Sequence, residues 1–187
     1  MSDPASAQPP NPNPKPAKAT PELLFAKLTE LGIAYDNHRH APVMTVEESR
    51  ALRGPLPGFH AKNLFLKDKK GGLWLVVAVE SRAIDLKVLR KRISAPSLSF
   101  GKPEALMEVL GVTPGSVTPF AVINDPDARV RVVLDDALAN AAETNFHPLD
   151  NAQTTTISGA DLLAFLGALD HPPLILDFTR EDPSASS

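Results

Sequence analysis

His60-Ala61-Lys62-Asn63-Leu64-Phe65-Leu66-Lys67, then Asp68-Lys69-Lys70-Gly71-Gly72, then Leu73-Trp74-Leu75-Val76-Val77-Ala78-Val79 decide the fold class. Two strand-like runs flank a short polar turn that ends in two glycines, and this predicts a β-hairpin. Side chains alternate along a strand. Lys62 therefore shares a face with Leu64 and Leu66, and Asn63 shares the other with Ala61 and Phe65. A lysine in line with two leucines points towards an apolar interior or its mouth. It either snorkels to water or holds an ammonium in a pocket, to bind an anion or polarise a carbonyl.

On the N-terminal side, Thr20 and Pro21 form a helix start, Leu24, Leu28 and Leu31 an apolar stripe, and Gly32 a stop. Residues 33–39 read as extended. Thr45 to Glu48 forms a capping-box pattern opening a short helix that ends at Gly54. Residues 1–19 carry Pro4, Pro9, Pro10, Pro12, Pro14 and Pro16 among small polar residues. They hold too little apolar surface to offset ordering, so a disordered tail is expected. The same reading covers 181–187, leaving 20–180 as one domain.

On the C-terminal side, Ser81 is expected to cap a helix with Leu86, Leu89 and Ile93 inward, and Pro103 to start a helix closed by Gly111. Strands are expected at 97–100, 119–124, 129–134, 152–157 and 174–178, with Asp125-Pro126-Asp127 as a turn. Residues 135–142 read as helical, and Ser158 to Asp161 caps a last helix. Short strands, hairpins and interspersed helices predict a mixed α+β fold: a mixed, largely antiparallel, barrel-like sheet flanked by helices.

Composition narrows the function. The chain has 187 residues, 22% of them charged, and a net charge of −3. That charge argues against bulk coating of nucleic acid, so an RNA partner must meet a local basic patch. Lys87, Arg90, Lys91 and Arg92 form such a run at the end of a helix, where cations also complement the helix dipole. Lys67, Lys69 and Lys70 form another at the hairpin tip. There is no cysteine, which excludes disulfides and thiol chemistry and fits a reducing cytoplasm. No apolar run is long enough to span a membrane. His38, His40 and His60 raise the question of a metal, but no HExxH or comparable ligand spacing accompanies them. Gly115-Ser116-Val117-Thr118-Pro119 follows a helix stop, and such a loop can present backbone N–H groups to an oxyanion or water. It is equally a plain connection. No GxSxG is present, so Ser116 is a poor nucleophile candidate. His147 sits in Asn145-Phe146-His147-Pro148 between a helix and a strand, either as a loop histidine of structural use or as a functional one.

The order of these features along the chain resembles the YbaK/ProX family, free-standing relatives of the editing insertion of bacterial prolyl-tRNA synthetases. The resemblance rests on His40-Ala41-Pro42, Phe59 to Leu66, Gly115 to Phe120, Asn145 to Leu149 and Ala152 to Ile157. It covers roughly residues 20–178. It looks closest to the branch that removes alanine misattached to proline tRNA. The resemblance implies hydrolysis of an aminoacyl ester with no metal or cofactor. Lys62, Asn63 and His147 match the family's functional lysine, its neighbour and the pocket histidine. Gly115, Ser116, Val117, Thr118 and Pro119 match the substrate loop, and Met44 and Phe120 are expected to line the pocket. The implied partner is a tRNA acceptor end carrying the wrong amino acid, with a prolyl-tRNA synthetase as a second candidate, and neither DNA nor a membrane. The alternatives are the same hydrolysis on a tRNA mischarged with serine or cysteine, and a non-catalytic module that binds tRNA or a synthetase.

Overall fold

The computed structural model describes residues 17–41 and 56–180. The expected helix from Thr45 to Gly54, Met44 and both expected tails up to residue 16 and from 181 lie outside these residues. The described elements are α1 (Pro21–Glu30), β1 (Asp36–Arg39), β2 (Phe59–Lys67), β3 (Leu73–Val79), α2 (Leu86–Arg92), β4 (Ser99–Phe100), α3 (Pro103–Leu110), a 3-10 helix (Pro119–Asn124), β5 (Val130–Asp135), α4 (Asp136–Ala139), β6 (Thr144–Phe146), β7 (Gln153–Ile157), α5 (Gly159–Ala168) and β8 (Leu174–Leu176).

The quoted hairpin is the centre of the sheet. β2 and β3 pair antiparallel from Ala61 opposite Val79 to Lys67 opposite Leu73. The strand order is β1-β7-β6-β2-β3-β5-β8, with β4 added beside β2. Among the described residues four pairings are antiparallel and three are parallel. Long connections carrying helices return β5 parallel to β3 and β8 parallel to β5, so the sheet is mixed with antiparallel pairings in the majority. One expectation needs correction: among the described residues the sheet does not close into a barrel, and β1 and β8 stand at the ends of the strand order.

Alternation along the central strands feeds two cores. Phe65, Leu75, Val77 and Leu134 face the larger one, covered by Leu24 and Leu28 of α1, Val109 and Leu110 of α3, and Phe165 and Leu166 of α5. Leu66, Trp74, Val76 and Val133 face the smaller one, covered by Leu89 of α2 and by Ile93. Each such side chain taken from water contributes about 1.5–3 kcal/mol, so the two-sided sheet is the main source of stability.

The helix starts show where local chemistry decides. Thr20 accepts from the Leu23 N–H, and Pro21 occupies the first turn. Asp85, not Ser81, caps α2: its carboxylate accepts from the N–H groups of Lys87 (2.7 Å) and Val88 (3.3 Å). A carboxylate at this position also suits the positive end of the helix. Residues 119–124 are a 3-10 helix, not a strand. Pro119 presets the turn, and the Thr118 hydroxyl accepts from the Phe120 N–H. An apolar run this short has no periodicity to tell strand from helix. Lys18 and Ala19, within the expected tail, bond to the body: the Lys18 ammonium donates to the carbonyls of Glu108 (2.7 Å) and Val109 (3.2 Å) at the end of α3, and the Ala19 N–H donates to Asn124 Oδ1 (2.7 Å).

Candidate functional site

β6 is the element that sequence reading missed, and it builds the site. It inserts between β2 and β7, parallel to β2 with Phe59 opposite Thr144 and His60 opposite Asn145, and antiparallel to β7. The close approach at the start of this pairing depends on Gly58, which has φ +88°. A Cβ there would meet the Glu143 carbonyl oxygen at 2.5 Å, so only glycine fits. Asn145 then ties three strands together. Its Nδ2 donates to the carbonyls of Pro57 (2.8 Å) and Phe59 (3.3 Å), and its Oδ1 accepts from the Thr156 hydroxyl (2.6 Å).

Where β2, β6 and β7 meet, a narrow pocket of about 20 Å³ is lined by His60, Ala61, Asn63, Asn145, Phe146, His147 and Thr154. That is room for about one water. His147 leaves the end of β6, and its Nδ1 lies 3.0 Å from the Gln153 carbonyl. A carbonyl only accepts, so Nδ1 carries the proton and, in the neutral ring, Nε2 carries the lone pair. Gln153 is itself held by Asp150 (2.8 Å) and by Asn37 (2.7 Å). Thr154 bonds His40 Nε2 at 2.9 Å. The Asn63 Oδ1 is different: it is a buried side-chain acceptor with no hydrogen-bond partner, the one such atom among the described residues. An unpaired buried acceptor costs about 1–3 kcal/mol, and a bound donor would recover it.

Lys62 goes the other way. Alternation sends it to the face that α2 covers, with Leu64 and Leu66, and its ammonium donates to the Arg82 carbonyl. Arg82 in turn reaches Asp135 (3.0 Å), a buried carboxylate that also accepts from the N–H groups of Val79 and Ala137. Lys62 thus does not line the pocket that Asn63 lines.

Gly115 has φ +94° and is exposed, with nothing within 4 Å of an added Cβ. Ser116 is buried and its N–H donates to the Thr113 carbonyl, closing a turn. Thr118 and Pro119 are also buried, and Val117 packs on the larger core. None of residues 115–119 lines the pocket. Phe120, expected at the pocket, does not line this one: it has no exposed surface and stacks edge-on against Phe146 at 5.8 Å and Phe165 at 5.4 Å. It backs the pocket through Phe146, because six consecutive residues rich in apolar side chains must be buried somewhere.

Of the basic run, Lys87 and Lys91 are exposed. Arg92 donates to the carbonyls of Asp177 (2.8 Å) and Arg180 (3.4 Å), and Arg90 to that of Pro96 (3.4 Å). The two arginines hold the chain itself. His38, His40 and His60 do not gather: among the described residues no group of three or more His, Asp or Glu could hold a metal ion. Among the same residues no helix is long and apolar enough to cross a membrane.

The pocket brings the expected site residues Asn63 and His147 together with Asn145 and Thr154, which the sequence reading gave no role, and with His60, which it considered only for a metal. The available signal for these three was the pairing of β6 beside β2, which three residues between a helix and a strand do not announce.

Residues 40–165 match the family model described as the aminoacyl-tRNA editing domain. The Prolyl-tRNA editing protein ProX of Acetoanaerobium sticklandii is 41% identical over 142 residues, 75% of this chain and 87% of that protein. The Prolyl-tRNA synthetase associated domain-containing protein 1 of Bos taurus is 40% identical over 84% of this chain and 94% of its own length. The crystal structure of the hypothetical protein APE2540 has the same fold, with a TM-score of 0.67 at 19% identity, covering 82% of this chain and 97% of that one. With its hairpin, its glycine-to-proline bend and its Phe-His-Pro segment inside the matched span, the chain belongs to the aminoacyl-tRNA editing domain family.

Proposed function

We propose that this protein hydrolyses the ester of alanyl-tRNA(Pro), releasing alanine and leaving the tRNA for correct charging. The observation that carries the reading is the pocket itself. It is small, it has apolar surface from Ala61 and Phe146, and it brings Asn63 and His147 together from strands far apart in sequence. A methyl side chain is the modest occupant such a space asks for. A proline ring meets the imidazole of His147, whose position the Gln153 carbonyl holds. Exclusion by a wall discriminates more strongly than attraction, because one methylene in an apolar pocket changes binding by only about 1–3 kcal/mol.

Water attacks the ester carbonyl, the carbon–oxygen bond to the ribose breaks, and the ribose oxygen takes a proton. The substrate is already activated, so the protein's work is to position and polarise. His147 orients the water or its proton. The exposed bend at Gly115 supplies backbone N–H groups for the ester oxygen. Farther along the same segment, Phe120 packs on Phe146, which lines the pocket. The neighbouring ribose hydroxyl assists, and no metal or cofactor takes part. Lys62 acts on the terminal phosphate rather than on the carbonyl. This assignment rests on its place on the sheet face that α2 covers, away from the pocket, α2 being the helix that carries the exposed Lys87 and Lys91.

A single-turnover deacylation assay with alanine, serine, cysteine and proline on proline tRNA tests the reading. Alanine is expected to be released fastest and proline spared. Faster release of serine or cysteine would reassign the substrate, and binding of charged tRNA without turnover would make the protein a binding module.

A further inference from the structure

His147 is the wall that a size rule needs, and it stands on a loop rather than on a strand. β6 ends at Phe146 and β7 begins at Gln153. Three hydrogen bonds close the loop between them on itself. His147 Nδ1 donates to the Gln153 carbonyl (3.0 Å). Asp150, in the middle of the loop, uses both carboxylate oxygens: Oδ2 accepts from Gln153 Nε2 (2.8 Å) and Oδ1 from the Ala152 N–H (2.8 Å). The other end of the buried Gln153 amide is held from β1, where Asn37 Nδ2 donates to Oε1 (2.7 Å). Asn37 Oδ1 in turn accepts from the Thr155 hydroxyl (2.9 Å).

The loop holds a conformation that needs such support. Leu149 has φ +71°, a left-handed backbone that a leucine rarely adopts. A residue stays there only where its surroundings over-determine it. Leu149 packs on the larger core, and Asp150 fixes the chain on the next residue. Asp150, Gln153 and Asn37 do not line the pocket. An influence of theirs on what the pocket accepts therefore passes through the loop and the imidazole it carries.

We propose that Asp150 is a positioning residue for specificity: by clasping Gln153 and the Ala152 N–H, it holds the His147 imidazole where a proline ring would have to go. This rests on the editing reading above and on His147 as its wall. A wall excludes only as far as it resists displacement. Shifts of about 1 Å can change rates about 100-fold, so a loop free to give would admit the larger ring.

The test measures single-turnover release from prolyl-tRNA(Pro) and alanyl-tRNA(Pro). Asp150→Ala should raise the prolyl-to-alanyl ratio about three- to tenfold, the worth of one hydrogen bond. Asp150→Asn, which keeps one acceptor oxygen, should raise it less. In a His147→Ala background Asp150→Ala should leave the ratio unchanged, because the wall it holds is gone. A wild-type ratio in Asp150→Ala overturns the proposal. So does a rise that persists without His147, since Asp150 would then act through another group. If Asp150→Ala does not fold, Gln153→Leu decides in the same way, because it opens the clasp from the other end and keeps the backbone carbonyl. Should His147→Ala itself leave the ratio unchanged, the steric reading falls and this proposal with it; should only the Asp150 and Gln153 variants do so, the proposal falls alone.

Discussion

Lys62 and Asn63 are adjacent in the chain and leave β2 on opposite faces: the ammonium of Lys62 meets the Arg82 carbonyl, while Asn63 Oδ1 is buried by the pocket that holds His147. The two neighbours therefore meet different surroundings, as alternation along the strand requires, and the roles proposed for them are tested separately.

Lys62→Ala should weaken binding of charged tRNA and lower kcat/KM about 10- to 100-fold, the size of a lost charge-assisted contact. The dependence of binding on salt should flatten by about one unit of slope. Lys62→Arg should retain most of the binding. An unchanged salt slope with a collapsed single-turnover rate would move the ammonium to the ester carbonyl instead.

His147→Ala removes a wall and keeps the rest of the lining. Hydrolysis of prolyl-tRNA(Pro), expected to be negligible with wild type, should rise at least about tenfold relative to that of alanyl-tRNA(Pro), in line with the roughly 1–3 kcal/mol worth of small differences in fit. Retention of full discrimination in this variant would rule out the steric account.

The basic helix should divide into two kinds of residue. Replacing Lys87 and Lys91 by alanine should reduce tRNA affinity and its salt dependence. Stability should stay within about 0.5 kcal/mol, as for most exposed sites. Arg92→Ala should instead cost about 0.5–1.5 kcal/mol in urea unfolding, because its guanidinium bonds the Asp177 and Arg180 carbonyls. An Arg92 variant of full stability and poor tRNA binding would reverse the division.

Acid should loosen the hairpin turn. Burial pushes the Asp68 carboxyl up, but the N–H groups of Gly72 and Lys70, the indole of Trp74 and the charge of Arg131 outweigh it and hold the pKa below the usual carboxylate value. A group lowered on folding stabilises the protein above its unfolded pKa, about 3.9, and that contribution is lost as pH falls through the folded value. Fluorescence of Trp74, the chain's single tryptophan, whose Nε1 lies 3.3 Å from Asp68, should report the loss below about pH 4. Asp68→Asn should blunt the response. An identical acid transition in that variant would assign it elsewhere.

Legibility followed the range of the forces involved. The β2–β3 hairpin lies where its turn residues and strand-forming runs placed it, and Pro103 and Gly111 bound α3, because these signals act within a few residues. Asp85 took the cap expected of Ser81 because a carboxylate there reaches two N–H groups at once. Residues 119–124 became a buried 3-10 helix because their neighbours, Phe146 and Phe165, surround Phe120. β6 stayed hidden because three residues carry no period; what makes it a strand is β2 on one side and β7 on the other.

By itself the sequence determined the mixed class, the central hairpin, most helix limits and the opposite facing of Lys62 and Asn63 on β2, and it named Lys62, Asn63 and His147 as candidates, since turn chemistry, capping and alternation are local. Only the tertiary structure decided that the sheet is open among the described residues, that Asn63 and His147 share a pocket, and that Phe120 is core. Those outcomes depend on which strands lie side by side, and strand order is settled by burial of both sheet faces across long sequence separations, which no short window of residues contains.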